Sequence, residues 1–413
     1  MSAKAAFIIL IALTLLSFRF YFFYHNLPHY NDGQYVRFKT TLAQEPKLQD
    51  GRQEVTVTTD DGFRVSITTG SSPLYHFGDR LFIEGLFTKK HFKGNDLWVM
   101  YFPKVQIANN EQNIITSMAL SIKNKANTLY NKTLPPVSAS LLSGMVFGGN
   151  QGLPDDFTKY LRNVGALHII AASGMNVSFV AGALMYMLGA VLKRQSVIMI
   201  SCAGIVFYTF IAGFESSIVR AAVMALIAFS AGILGRQNIV FISIFITGYL
   251  MLFIKPVLLT DISFQLSFLS TLGILLIQPF LPLKQFPVIG EDLRTTLSAQ
   301  IATVPVMFGM FGSYGLLSVL VNALILWTVP LLMALGSLAI ILGYIFEPLA
   351  KLLLFLALPF LLYFEKIVSY FGALDWTLGI ETFPVPMVVG YYFILSAVII
   401  SLHKKNNRKR VSN

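Results

Sequence analysis

The sequence is poor in charge and almost free of cysteine. Only 12% of its 413 residues are Asp, Glu, Lys or Arg, against about a quarter in ordinary soluble chains. With 55% hydrophobic residues and a mean hydropathy of +0.66, so little charge excludes a disordered chain and a single soluble domain, and it puts much of the protein in lipid. The single cysteine, Cys202, excludes an intrachain disulfide framework and a cysteine-rich zinc or iron–sulfur centre. Six histidines, His25, His29, His76, His91, His168 and His403, form neither an HxH pair nor HExxH, so no local metal-ligand cluster is present. P-loop, GxSxG and dinucleotide fingerprints are absent as well. The expectation is a protein with no metal, no cofactor and no catalytic residue.

What charge there is falls unevenly. Residues 1–136 carry 15 basic and 10 acidic side chains, and the last eleven residues (HKKNNRKRVSN) carry five basic and no acidic ones. Residues 1–24 end in an apolar, aromatic run of membrane-spanning length without a small-residue cleavage site, which predicts an uncleaved anchor. Residues 25–110 form the next expected domain, in which the period changes to two from about Gly33 to Ile107. YVRFKTTL, EVTVTTD, FRVSITTG, RLFIEGLF and WVMYFPKVQI read as five strands, with Asp61-Gly62 as a hairpin turn. Five short strands fit a small closed barrel of the oligonucleotide-binding (OB) type, with a β-sandwich fragment as the alternative. Residues 111–136 read as an amphipathic connector, Ile114, Ile115, Met118, Ile122 and Leu129 opposing Lys123, Lys125 and Lys132.

Residues 137–402 form a membrane domain. Apolar stretches at 167–192, 196–213, 216–234, 238–254, 260–281, 294–311, 316–330, 331–346 and 386–402, with the anchor, make about ten transmembrane helices. Residues 349–372 read as a surface or re-entrant helix, and 403–413 as a cytoplasmic tail. With the amino terminus inside, this count places the barrel outside the membrane and Lys193, Arg194, Arg236, Lys284 and the tail inside, in agreement with the positive-inside rule.

Polar residues inside apolar spans are costly and therefore point to function. In residues 141–182, Pro154 with Asp155 and Asp156 starts a short helix that ends at Gly165, and a span follows with His168, Ser173 and Asn176 in its early turns. A spacing of eight puts His168 and Asn176 on one side of such a helix, while Gly174, Ser178 and Gly182 mark a close helix contact. Arg220 lies one turn into another span, Asp261 and Gln265 share a face at i and i+4, and Gln300, Pro305 and Asn322 follow. Arg220 can neutralise Glu215 or Asp261. An intramembrane hydrolase pairing His168 with Ser173 is disfavoured, because five residues along a helix turn the two side chains apart.

In this order, the segments resemble the competence domain of the ComEC family. The family's Gly-rich stretch, short helix and His-x-x-Ala-x-Ser-Gly correspond to Leu141 to Gly174. Its Ala-Gly-Phe, Ser-x-x-Arg-Ala and Asp-x-x-Phe-Gln-Leu-Ser-Phe motifs correspond to 212–214, 217–221 and 261–268, and Ala-Gln-x-Ala-Thr-x-Pro to Ala299–Pro305. The apolar run Leu316 to Leu324 carries the single Asn322. Asn176 stands where the family commonly has a second histidine, and no HxHxDH motif occurs, which points to a form without the metallo-β-lactamase-like domain. The resemblance implies an inner-membrane channel for single-stranded DNA in natural transformation, not an enzyme, embedded in membrane lipid and served by a separate nuclease, a DNA receptor and a cytoplasmic motor. His168, Ser173, Asn176, Arg220, Asp261, Gln265, Gln300 and Asn322 are then channel residues. In the barrel, Arg37, Lys39, Arg64, Lys89, Lys90 and Lys93, interleaved with phenylalanines, would bind the strand without sequence preference. A polytopic transporter of a small or lipidic substrate, with the barrel as an assembly module, is the alternative.

Overall fold

The computed structural model describes residues 3–28, 30–42, 46–49, 52–59, 63–73, 75, 78–92, 95–107, 114–149, 152–170, 173–236, 239–281, 290–311, 313–379 and 384–411. The chain folds as two units, Met1–Lys125 with Val177–Leu259, and Ala126–Asn176 with Thr260–Asn413.

The first unit opens with the apolar helix α1 (Ala3–His25), at the position where an anchor is expected. Arg19 on it donates from Nε to the Phe253 carbonyl at 3.2 Å, in the last turn of α9 (Val240–Ile254), where helix carbonyls lack partners of their own. Eight strands follow: β1 (Tyr35–Thr41), β2 (Lys47–Gln49), β3 (Arg52–Thr58), β4 (Arg64–Gly70), β5 (Arg80–Leu86), β6 (Thr88–Phe92), β7 (Asn95–Tyr101) and β8 (Lys104–Ile107). They form two sheets, in the orders β1-β5-β8 and β2-β3-β4-β7-β6. The expected hairpin exists as the antiparallel pair β3–β4, from Arg52↔Gly70 to Thr58↔Arg64. The Asp61-Gly62 turn lies outside the described residues.

The expected closed barrel is corrected by these sheets, which do not close on each other among the described residues. The reason lies in two corners. The run expected as one strand, WVMYFPKVQI, breaks where Phe102 takes a φ of +47° before Pro103, leaving β7 in one sheet and β8 in the other. Phe87, wholly buried, separates β5 from β6 in the same way. Both sheets contribute alternate residues to one core of Leu42, Val55, Val65, Ile67, Ile83 and Met100, so the domain is nearer the two-sheet alternative.

Three further helices of the unit are α6 (Gly174–Gly189), whose first turn belongs to the second unit, α7 (Arg194–Ile211) and α8 (Ser216–Ile233). A Cβ on Gly204 would lie 2.4 Å from Leu184 Cδ1, so the Leu184 side chain of α6 rests on α7 at that glycine. Gly182 meets nothing within 4 Å, so the small-residue spacing at 174, 178 and 182 is not a close contact there. The Ala-Gly-Phe motif is the turn between α7 and α8. Gly213 and Phe214 take φ of 77° and 56°, and Phe214 N–H donates to Thr209 O at 3.1 Å.

Helix α2 (Ile114–Thr133) is the expected connector, but Ala119, Ala126, Leu129 and Tyr130 are its buried residues while Ile115 and Met118 stay exposed. The second unit continues with α3 (Pro136–Phe147), α4 (Asp155–Asn163), α5 (Leu167–Ile170), α10 (Ile262–Ile277), α11 (Gly290–Phe311), β9 (Ser313–Gly315), α12 (Ser318–Ile325), α13 (Thr328–Gly343), α14 (Glu347–Ala373), β10 (Thr377–Gly379) and α15 (Val385–Val411). Residues 349–372, expected as a surface or re-entrant helix, are long and apolar enough to cross a membrane. They belong to the 27-residue α14, which buries Ala350, Leu354, Ala357, Leu361, Phe364, Val368 and Gly372 at helical spacing. A Cβ on Gly372 would lie 2.5 Å from Tyr160 Cβ, so α14 packs tightly on α4. The expected separate spans 316–330 and 331–346 are also corrected. Helix α12 has eight residues, about 12 Å, and bends 46° from α13, the geometry of a broken span or a re-entrant loop. Among the described residues, α7, α8, α14 and the stretches Ile262–Phe280 and Pro386–Lys404 are long and apolar enough to cross a membrane alone.

Candidate functional site

The polar residues of the second unit converge on a helix break. Helix α4 starts after Pro154 with Asp155 and Asp156 in its first turn, as expected from the favourable dipole, and ends at Asn163. Gly165 follows at φ +66°, and its N–H and that of Ala166 return to Arg162 O and Leu161 O. A Cβ on Gly165 would lie 2.8 Å from Ser318 Cβ. The span expected from residue 167 onward is therefore corrected. The chain makes only the four-residue α5 before a new helix begins at Gly174.

Ser173 and Asn176 account for that restart. Asn176 N–H donates to Ser173 O at 3.1 Å, and the Ser173 hydroxyl donates to Asn176 Oδ1 at 3.0 Å. Asn176, 2% exposed, spends its Nδ2 on the Met145 carbonyl at 2.9 Å. That carbonyl lies in the last turn of α3, and the N–H four residues on, Gly149, instead donates to Ile170 O at 3.1 Å. Asn176 thus supplies a donor that the helix end lacks. A Cβ on Gly144 would lie 2.1 Å from Ile170 Cγ2, so α3 and α5 touch there.

His168 and Asn176 consequently do not share a helix face, since the break separates them. His168 is exposed, with Nδ1 at 2.9 Å from Gly165 O. A carbonyl can only accept, so Nδ1 carries a proton, and in the neutral form of the ring Nε2 is the acceptor. The hydroxyl proton of Ser173 is directed to Asn176, not to His168.

The break rests in a cradle that the sequence reading only partly anticipated. Tyr314 O–H donates to Gln300 Oε1 at 2.8 Å, and Gln300 Nε2 donates to Ser318 Oγ at 3.1 Å. Asn163 Nδ2 donates to Asp375 Oδ1 at 2.9 Å and Gly372 O at 3.1 Å. A Cβ on Gly315, in β9, would lie 2.0 Å from Asn163 O. Strand β9 pairs antiparallel with β10, from Ser313↔Gly379 to Gly315↔Thr377. Asn163, Tyr314, Ser318 and Asp375 carry no motif signal; only their fold brings them together. Asn322 is buried on α12, its Oδ1 without a donor among the described residues.

Pro305 sits inside α11 and cannot donate to Ile301 O, four residues back. Tyr391 O–H of α15 takes that carbonyl at 2.7 Å, and Tyr392 O–H takes Ala302 O at 2.9 Å.

Asp261 is not a charge within a helix. It is the N-cap of α10, its Oδ1 accepting from Phe264 N–H at 2.8 Å. Its carboxylate therefore faces the positive end of the helix dipole. Gln265, half-buried, follows on α10 with its N–H on Asp261 O. Arg220, half-buried one turn into α8, places Nη1 3.7 Å from Met224 Sδ; it belongs to the first unit and Asp261 to the second.

In the β domain, Arg37 forms an ion pair with Glu84 at 2.6 Å and lies 5.4 Å over the Phe82 ring. Its charge is thus largely committed. Lys39, Lys89 and Lys90 are exposed, although Asp32 Oδ1 accepts from Lys89 N–H at 2.8 Å. The Arg64 side chain and Lys93 lie outside the described residues.

The family model described as Competence protein matches residues 145–405, which include the helix break and its cradle. The chain belongs to that family. It is 22% identical over 325 residues to ComE operon protein 3 of Bacillus subtilis (strain 168), covering 72% of this chain and 41% of that protein. The chain thus spans less than half the length of that curated relative. No solved structure matches the chain. Family membership and the apolar helices together make it a membrane protein of the competence class.

Proposed function

We propose that this competence-family chain is the inner-membrane channel that passes single-stranded DNA into the cytoplasm during natural transformation. The break between Asn163 and Gly174 carries the reading. Irregular backbone inside an apolar helical unit is stable only where protein covers it or water reaches it, and here His168 is exposed beside it. A strand with one charge per nucleotide needs such a polar path. Gln300, Ser318 and Tyr314 satisfy one another and hold the turn in shape, leaving His168 Nε2 open to a passing donor.

The β domain then lies outside the membrane and the basic tail in the cytoplasm. The chain acts as a conduit: a separate nuclease removes the second strand, a DNA receptor delivers the substrate and a cytoplasmic motor draws it in. The test is deletion of the gene, followed by an assay that separates DNA held outside the membrane from DNA reaching the cytoplasm. Loss of cytoplasmic DNA with surface DNA retained is the expected result. Unchanged entry would favour the transporter alternative.

A further inference from the structure

Phe102 holds a backbone conformation that disfavours a bulky side chain, and it does so at the surface. Its φ is +47°, in the left-handed region that phenylalanine avoids. Yet 58% of the side chain is exposed, and Tyr101 beside it is 53% exposed. A residue kept for packing would be buried, and one kept for the turn would be glycine or asparagine.

The surroundings lock the turn. Phe102 N–H donates to Thr68 O at 2.7 Å. Pro103 packs onto Gly85, where a Cβ would lie 2.9 Å from Pro103 Cβ. Thr68 pairs in register with Tyr101, and Arg52 pairs with Gly70 on the next strand. The Arg52 guanidinium carbon lies 5.7 Å from the Phe102 ring centroid, and Arg52 has no carboxylate partner among the described residues. The Phe102 ring and the Arg52 cation therefore stand together at one end of the sheet, with exposed Tyr101 next in sequence, at the expense of backbone strain. Strain held at an exposed ring that also meets a cation is the outlier from which a functional reading starts.

We propose that Tyr101, Phe102 and Arg52 form a stacking platform for the unpaired bases of single-stranded nucleic acid. The rings take base faces, and Arg52 meets the adjacent phosphate. The platform lies apart from the lysines of β6, and it rests on the proposed channel reading in so far as a single strand is the substrate.

Because φ is positive, Phe102→Gly removes the ring and relieves the backbone together, so loss of binding cannot be ascribed to misfolding. The full chain in lipid nanodiscs is titrated with a fluorescein-labelled single-stranded oligodeoxynucleotide. Phe102→Gly and Arg52→Gln should each weaken binding about tenfold, within the range for one base stack, while Phe102→Trp retains it and the melting temperature of Phe102→Gly does not fall. Unchanged affinity in Phe102→Gly overturns the platform. The same holds if a fluorophore on Phe102→Cys, in a Cys202→Ser chain, is quenched by lipid-borne quencher, which would make the pair a membrane anchor. Uptake in the gene deletion separates the two proposals: entry unaffected by deletion defeats the channel, whereas entry lost on deletion but normal in Phe102→Gly, with normal strand binding, defeats only the platform.

Discussion

The turns at Gly165 and Phe102 both use left-handed backbone and use it in opposite ways. At the end of α4 the residue is Gly165, and the space a side chain would need is taken by Ser318. At the end of β7 it is Phe102, and the side chain projects outward. The first turn sacrifices a side chain so that backbone and polar neighbours can close together. The second accepts strain so that a side chain can be displayed. Packing governs the helical site, then, and presentation governs the β domain.

The sharpest test of the packed turn is Gly315→Ala. Its Cβ would meet the Asn163 carbonyl at 2.0 Å, a backbone atom that cannot move aside, so the protein should fail to accumulate, as read by immunoblot of membranes. Near-normal levels would show that the cradle is slack. Next in size is Asn176→Leu. It strands the Met145 carbonyl and the Ser173 hydroxyl and should cost about 1–3 kcal/mol for each buried group left unpaired, lowering both protein level and melting temperature. His168→Ala, by contrast, removes an exposed ring and should leave protein level unchanged while cutting DNA entry about tenfold or more, the scale expected of an intramembrane polar group in use. A parallel fall in protein level would return His168 to a structural role.

Smaller effects probe the kink. Tyr391→Phe should cost about 1 kcal/mol by orphaning Ile301 O. Pro305→Ala restores the N–H that this carbonyl otherwise lacks, so the double variant should regain the loss; additive destabilisation measured by thermal melting would refute the compensation. Smallest of all, Arg37→Gln in the β domain should change stability by less than about 1 kcal/mol, as exposed ion pairs do. It should also weaken strand binding less than Lys89→Gln with Lys90→Gln, because Glu84 already holds the Arg37 charge.

Much of this was legible in the sequence. Period-two runs found the strands, and Pro154-Asp155-Asp156 found the start of α4, because both signals are local. The closed barrel was misread because a strand and a corner have the same apolar pattern; only the backbone of Phe102 separates them. Asp261 reads as an intramembrane charge from hydropathy alone, yet the helix starts at Ile262 and the carboxylate caps it. Residues 349–372 read as a surface or re-entrant helix because one more span would move the basic tail to the other side, whereas the buried stripe that runs the length of α14 depends on partners distant in sequence. Asn163, Tyr314, Ser318 and Asp375 were out of reach because their partners are distant in sequence and no motif binds them together.

The short ribbon of β9 and β10 also says something about how the protein is made. Its two strands flank α12, α13 and α14 in the chain, and Leu316 N–H reaches Trp376 O at 3.0 Å to extend the pairing. During synthesis β9 emerges long before β10, so its backbone groups must be held by water until three helices have followed it. The ribbon closes only when α14 has brought β10 back beside β9. The turn between Asn163 and Gly174, which Gly315 of β9 supports, is completed at that moment, so the polar break forms as one of the last acts of insertion and not as an early opening in a half-built membrane domain.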